Sequence, residues 1–197
     1  MTDRIIKAIL RPFILLTHPC TVVGKEKIPT DGKVILVCNH LSNWDPVLLL
    51  LAQPHRIAFM AKAELFRFKP LGWFLRRFFG VFPVERGKGD SKALDAGERA
   101  IQNGDIMGIF PEGTRSRDGK LMRFKSGAAL IAARTGASVL PCGIDRRSKA
   151  FRRVTITVGD LITPEELHLD GEKPELRYAT RLMRERVRVL SGQEDAE

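Results

Sequence analysis

Apolar residues fall in short runs along this chain, and between the runs their spacing becomes helical. Ile106-Met107-Gly108-Ile109-Phe110 reads as a short buried strand, and Ala137-Ser138-Val139-Leu140-Pro141-Cys142-Gly143-Ile144 as another. Taken together, the runs predict strands near 33–38, 56–60, 81–85, 106–110, 138–144 and 152–158. Helices are predicted near 45–52, 70–79, 91–102, 126–135 and 174–190. This alternation predicts an α/β fold, a single-domain layered structure with a largely parallel central sheet flanked by helices. Asp45-Pro46 suits a helix start, with Asp45 able to cap and Pro46 in the first turn. The last helix carries Leu176, Ala179, Leu182, Met183, Val187 and Leu190 on one side and several arginines on the other, which predicts a packed element with a basic outer face. The acidic stretch from Ser191 to Glu197 is expected to be a disordered tail.

Three of these strand ends carry polar groups. After 33–38 the apolar run breaks at Asn39-His40-Leu41-Ser42-Asn43-Trp44-Asp45, where four residues separate a histidine from a carboxylate. A neutral imidazole accepts a proton well near neutral pH, and a carboxylate on its other nitrogen fixes the tautomer and stabilises the imidazolium that forms. The competing reading is a turn histidine beside a capping aspartate. After 106–110 comes Pro111-Glu112-Gly113-Thr114-Arg115-Ser116-Arg117. Its uncovered N–H groups, hydroxyls and guanidinium forks suit a phosphate, unless it is simply a solvated turn. Glu112 would repel such an anion, so it is expected to accept from a hydroxyl or orient an arginine. Gly80 to Gly87 delivers Arg86 at a third strand end. In an open α/β sheet, ligands bind in the crevice at the carboxyl ends of the strands, so these groups can converge there. The 137–144 segment has no titratable group beyond a thiol and is expected to be a wall.

His40 to Asp45, Gly80 to Arg86, Phe110 to Ser116 and Leu140 to Ile144 resemble, in order, the four blocks of the glycerolipid acyltransferases, above all the bacterial 1-acylglycerol-3-phosphate acyltransferases. The resemblance spans roughly residues 20 to 160. It implies transfer of a fatty acyl group from acyl-CoA or acyl carrier protein, as co-substrate, to the free hydroxyl of 1-acylglycerol-3-phosphate, with no bound cofactor and no metal. It implies His40 as base and Asp45 as its partner. Arg86, Glu112, Gly113, Thr114 and Arg115 would hold the glycerol phosphate, and Lys62 would lie near the oxyanion or the phosphate. Another lysophospholipid or a lyso-ornithine lipid is the alternative acceptor. Within catalysis, a Cys38 nucleophile is the rival to the base. The pair Cys142-Gly143 departs from the family's small apolar residues at that point, a change that would reshape the acyl or acceptor channel.

Composition sharpens two points. A net charge of +10 on 197 residues implies an anionic partner, whether a phospholipid surface, a phosphorylated substrate or nucleic acid. Nothing resembles a nucleic-acid-binding module, so no nucleic-acid partner is expected. The three cysteines, Cys20, Cys38 and Cys142, lack metal-ligand spacing, and their odd number suits a reducing compartment. No apolar run reaches the roughly 18 residues of a membrane span. Residues 1–19 instead mix Arg4, Lys7 and Arg11 with Ile5, Ile6, Ile9, Leu10 and Phe13, the composition of an amphipathic interfacial segment, ahead of a catalytic domain over 20–190. Leu65 to Phe79 is a second candidate, with Trp73, Arg76 and Arg77 off its buried stripe. Peripheral attachment to the anionic cytoplasmic face of the cell membrane is the expected location.

Overall fold

The computed structural model describes residues 11–30, 32–52, 57–62, 66–70, 72, 73, 76, 81–84 and 91–196. Seven strands form one sheet. They are β1 (Cys20–Val23), β2 (Val34–Cys38), β3 (Ile57–Lys62), β4 (Phe82–Val84), β5 (Ile106–Ile109), β6 (Ser138–Ile144) and β7 (Val154–Val158). Between and after them lie helices α1 (Asp45–Ala52), α2 (Ser91–Gln102), α3 (Gly127–Thr135) and α4 (Leu176–Ser191). The strand order is β1-β7-β6-β2-β5-β3-β4. All neighbours are parallel except β6 and β7, so β6, β2, β5, β3 and β4 point one way and β7 and β1 the other. The predicted largely parallel sheet is thus present. The strand that sequence patterning missed is β1, an edge strand of only four residues, none of them fully buried, which is too short to show a period.

Strand β2 sits at the centre, and each of its five residues is buried. Its side chains alternate between two cores, as the strand period requires. Ile35 and Val37 join Met107, Ile131, Val139, Met183 and Val187 on one face. Val34, Leu36 and Cys38 join Leu48, Phe59, Leu140 and Ile156 on the other. The chain leaves β2 toward β3 on one side, returns to insert β5 next to β2, and then crosses to β6 on its other side. The C-terminal end of β2 therefore lies where the winding reverses, the place such sheets leave a crevice.

Three local expectations change. Helix α1 begins at Asp45, but the Asp45 carboxylate turns back to the preceding loop and does not cap the helix. The tail is docked and not disordered over 191–196. Leu121, far away in sequence, pairs in parallel with Asp195, Gln193 is buried, and Arg184 of the preceding helix binds Asp195 at 2.7 Å. Gly143 does not line a channel. A Cβ there would run into the backbone of Leu190 and Ser191, so glycine lets α4 pack directly on β6, while Cys142 fills the core beside Leu140. Of the helix expected over 70–79, helical backbone is described at residues 70, 72, 73 and 76. The remaining positions, like residues 1–10 and Arg86, lie outside the described residues.

Candidate active site

The strand leaves its register at Asn39, and the next two residues are fixed from several directions. Asn39 is fully buried. Its amide nitrogen donates to the Ile144 carbonyl at 2.8 Å and to Gln193 Oε1 at 2.6 Å, and its oxygen accepts from the Ile144 N–H at 2.7 Å. His40 follows. Its N–H donates to Glu112 Oε1 at 2.6 Å, and its carbonyl accepts from the Ser116 N–H at 2.9 Å. The loop after β5 therefore clamps the backbone of His40 above and below.

The side chain is held as firmly. Nδ1 of His40 lies 2.9 Å from Asp45 Oδ2, and the same oxygen accepts from the N–H groups of Leu41 (2.7 Å) and Ser42 (2.6 Å). Because a carboxylate oxygen only accepts, Nδ1 carries the proton and the lone pair falls on Nε2. Asp45 is 0 % exposed at its side chain and His40 17 %, so the carboxylate is sealed while the imidazole still reaches solvent. Oδ1 of Asp45 is buried without a hydrogen-bond partner among the described residues. The ring of His40 also stacks on Phe110 at 4.1 Å, and Phe110 in turn stacks on Phe59 at 5.4 Å. Gly108 permits that pile, since a Cβ at this position would strike the Phe59 ring.

Glu112 differs from both roles expected of it. It is 4 % exposed and binds neither a hydroxyl nor an arginine among the described residues; its oxygens accept from the N–H groups of His40 and, at 3.1 Å, of Met122. Burial raises its carboxyl above the ordinary glutamate range, against the lowering effect of those two N–H groups. Gly113 turns the chain in the left-handed region (φ 71°), which a side chain disfavours. Beyond it Thr114 and Arg115 are exposed, with no ion pair to Arg115 among the described residues. Ser116 is buried and its hydroxyl is occupied by Asp118 Oδ1 at 2.9 Å and the Gly119 N–H at 3.0 Å, so it shapes the turn and offers nothing to a ligand. Arg147, unremarked in the sequence, donates through Nη2 to the carbonyls of Ser116 (2.8 Å) and Arg117 (3.0 Å) and pins the loop. Asn39 and Gln193 were missed as well. The only signals for these three were a polar residue at a strand end, arginines after β6 and an amide in an acidic tail, none of which names a partner.

Lys62 is the last residue of β3, in register with Val84 of the parallel strand β4. Cys38 is a poor nucleophile here. It is 0 % exposed, faces the core that holds Leu36 and Cys142, and burial drives its thiol well above the ordinary value, so little thiolate forms. What remains is a buried carboxylate, a tautomer-fixed imidazole and an exposed cationic loop at the carboxyl end of a central parallel strand, which can remove a proton from a bound hydroxyl next to an anionic group.

The chain belongs to the acyltransferase family, whose profile matches residues 19–145, and it is an O-acyltransferase. Among its relatives are enzymes named 1-acyl-sn-glycerol-3-phosphate acyltransferase. The one from Bacillus subtilis is 30% identical over 193 residues, which cover 94% of this chain and 95% of that protein. The one from Borreliella burgdorferi is 36% identical over 133 residues, 66% of this chain and 52% of that one. Among solved structures, the 1-acyl-sn-glycerophosphate acyltransferase PlsC of Thermotoga maritima superposes with a TM-score of 0.73 at 28% identity, covering 98% of this chain and 81% of that one.

Proposed function

We propose that the protein moves a fatty acyl group from acyl-CoA or acyl carrier protein to the free hydroxyl of 1-acylglycerol-3-phosphate, giving phosphatidic acid. The observation that carries the reading is the 2.9 Å contact between His40 Nδ1 and a sealed Asp45 carboxylate. Nε2 of His40 takes the acceptor hydroxyl proton as its oxygen attacks the thioester carbonyl. The imidazolium is stabilised by Asp45, and the proton passes to the departing thiolate. No covalent enzyme intermediate is needed, because a thioester is already activated. General-base action contributes on the order of 10² to 10⁴ in rate. Thr114 and Arg115, with their backbone N–H groups presented by the turn at Gly113, and Arg86 hold the acceptor phosphate. Lys62 meets the oxyanion, a role supported by its position at the carboxyl end of a strand parallel to β2. Glu112 serves this phosphate site indirectly, by holding the loop against His40.

The test is an acceptor panel. Purified protein with palmitoyl-CoA should convert 1-acylglycerol-3-phosphate to phosphatidic acid, identified by mass, far faster than it acylates lyso-ornithine lipid or uncharged lysolipids. Preference for a phosphate-free acceptor would refute the assignment.

The lipid acceptor is reached from an anionic membrane surface on the cytoplasmic side, without a span. No helix among the described residues is long and apolar enough to cross a membrane. Exposed apolar side chains support the attachment: Phe13, Leu16, Phe68 and Trp73 are each more than 60 % exposed. His18, at the end of the helical stretch over 11–17, stacks on Trp44 at 4.0 Å and so ties that segment to the loop holding Asp45. Vesicle sedimentation should show stronger binding to anionic than to zwitterionic lipid, with partial release by salt. Equal, salt-insensitive binding to both would exclude an electrostatic surface attachment.

A further inference from the structure

Beside the His40 site, not over it, lies an open cleft of about 870 Å³ between α4 and the segment leading into α3. Arg123, Lys125, Arg177, Arg181 and Arg184 line it, and no Asp or Glu among the described residues does. Arg184 is committed to the protein: it donates to the carbonyls of Leu121 and Met122, both at 3.0 Å, and pairs with Asp195 at 2.7 Å. The other four are exposed, and none makes an ion pair among the described residues. Arg177 and Arg181 are placed against their own helix. Arg177 is the second residue of α4, where the helix dipole disfavours a cation; the first turn holds no acidic residue, and Glu175 at the N-cap makes no capping hydrogen bond and turns to His168 at 3.6 Å. Arg181 follows at i+4, where like charges repel. Side chains free to choose solvent would not be selected for this arrangement by helix stability, whereas a bound polyanion would relieve both repulsions.

We propose that this cleft binds the phosphorylated nucleotide end of the acyl donor, the diphosphate and 3′-phosphate of a coenzyme A thioester. The proposal rests on the acyl-transfer reading above and names the donor. A phosphate monoester carries about −1.5 to −2 at neutral pH, so a diphosphate with one monoester matches four unpaired cations. The volume is that of a small-molecule site, roughly 300–1,000 Å³, and its concavity suits a discrete ligand better than a membrane plane or a protein face. Its position also suits a thioester whose reactive sulfur lies at the far end of a long pantetheine arm. The Lys125 ammonium lies against Gly113, at 3.0 Å from where a Cβ there would sit, and Met122 shares the Glu112 carboxylate with the backbone of His40. The cleft thus opens onto the loop that borders the base.

Two measurements on the full chain test it. Adenosine 3′,5′-bisphosphate should bind the wild type by calorimetry and compete with coenzyme A, and the exposed double variant Arg177→Ala/Arg181→Ala should weaken this at least about tenfold. In turnover, the same variant should raise KM for palmitoyl-CoA by a similar factor while KM for the lysolipid stays put. With palmitoyl-dephospho-CoA, which lacks the 3′-phosphate, wild type and variant should differ by much less. Equal bisphosphate binding by both proteins overturns the proposal, as does a KM increase that falls on the lysolipid, or one confined to a palmitoyl-acyl carrier protein donor, which would assign the cleft to an acidic protein. If the wild type binds the bisphosphate but acylates no lysolipid, the acyl-transfer reading fails and the nucleotide site stands.

Discussion

His40 is held from every side, whereas Thr114 and Arg115, on the loop that hydrogen-bonds to it, stand in solvent. His40 has its backbone fixed by Glu112 and Ser116, its ring by Asp45 and Phe110, and its preceding residue by Ile144 and Gln193. The side chains of Thr114 and Arg115 have none of this among the described residues. The difference matches the roles proposed for each. Proton transfer during bond formation requires a nitrogen fixed within hydrogen-bond reach of one atom, so the scaffold supplies rigidity in advance. A phosphate is large, symmetric and multiply charged, and mobile guanidinium forks can close on it once it arrives. The rigid half should therefore fail in kcat when altered and the mobile half in KM.

The largest effect should come from the rigid half. His40→Ala should lower kcat by about 10² to 10⁴ with little change in melting temperature, since the ring is not part of a core cluster. Retention of more than about a tenth of wild-type kcat would remove His40 as base. Asp45→Asn should lose much of the same rate through the wrong tautomer, and should also lower stability, because three N–H groups depend on one oxygen. Next comes Arg115→Ala, expected to raise KM for a phosphorylated acceptor about ten- to a hundredfold with kcat and melting temperature near normal, and Arg115→Lys should recover only part of it. A kcat loss at Arg115 without a KM change would dissolve the contrast between the two halves.

Glu112→Gln should act as a member of the rigid half. One end of the amide is a donor and would face the N–H of His40 or of Met122, at a cost of about 1–3 kcal/mol. kcat should fall with KM for the acceptor retained; a selective KM increase would instead make Glu112 part of the phosphate site. The pH dependence gives a second check. A carboxyl raised by burial contributes stability that is present below its unfolded value and is lost as pH rises through its folded value. The melting temperature of the wild type relative to Glu112→Gln should therefore decline as pH rises from the ordinary glutamate value upward. Gln193→Leu would leave one N–H of buried Asn39 unpaired, and should cost about 1–3 kcal/mol in stability and lower kcat while both KM values hold. The smallest effect on turnover is expected for Cys38→Ser, which should reduce stability while the reaction continues; a trapped acyl-protein adduct in wild type would restore the covalent route.

Local patterning was enough for what depends on neighbours in sequence. Apolar patterning marked six of the seven strands: β2, β5 and β6 read as near-continuous runs because both faces are covered, β7 as an alternating one, and α1 and α2 follow the predicted spans closely. The His40 and Asp45 couple was legible because both members lie on one loop, where four intervening residues bring the side chains together. Partners far along the chain were not. Glu112 clamps a residue 72 positions away, and Gln193 reaches Asn39 across 154. Nothing in either local sequence names the other, since a carboxylate or an amide satisfies any donor that the fold delivers. The reason for Gly143 is likewise visible only once α4 lies across β6. The chain by itself determined the layered fold, the pairing of His40 with Asp45 and the positive charge. Tertiary packing decided which carboxylate became a backbone clamp, that Gln193 became a support for the site, and where four arginine and lysine side chains were left facing one cleft without a counter-ion among the described residues.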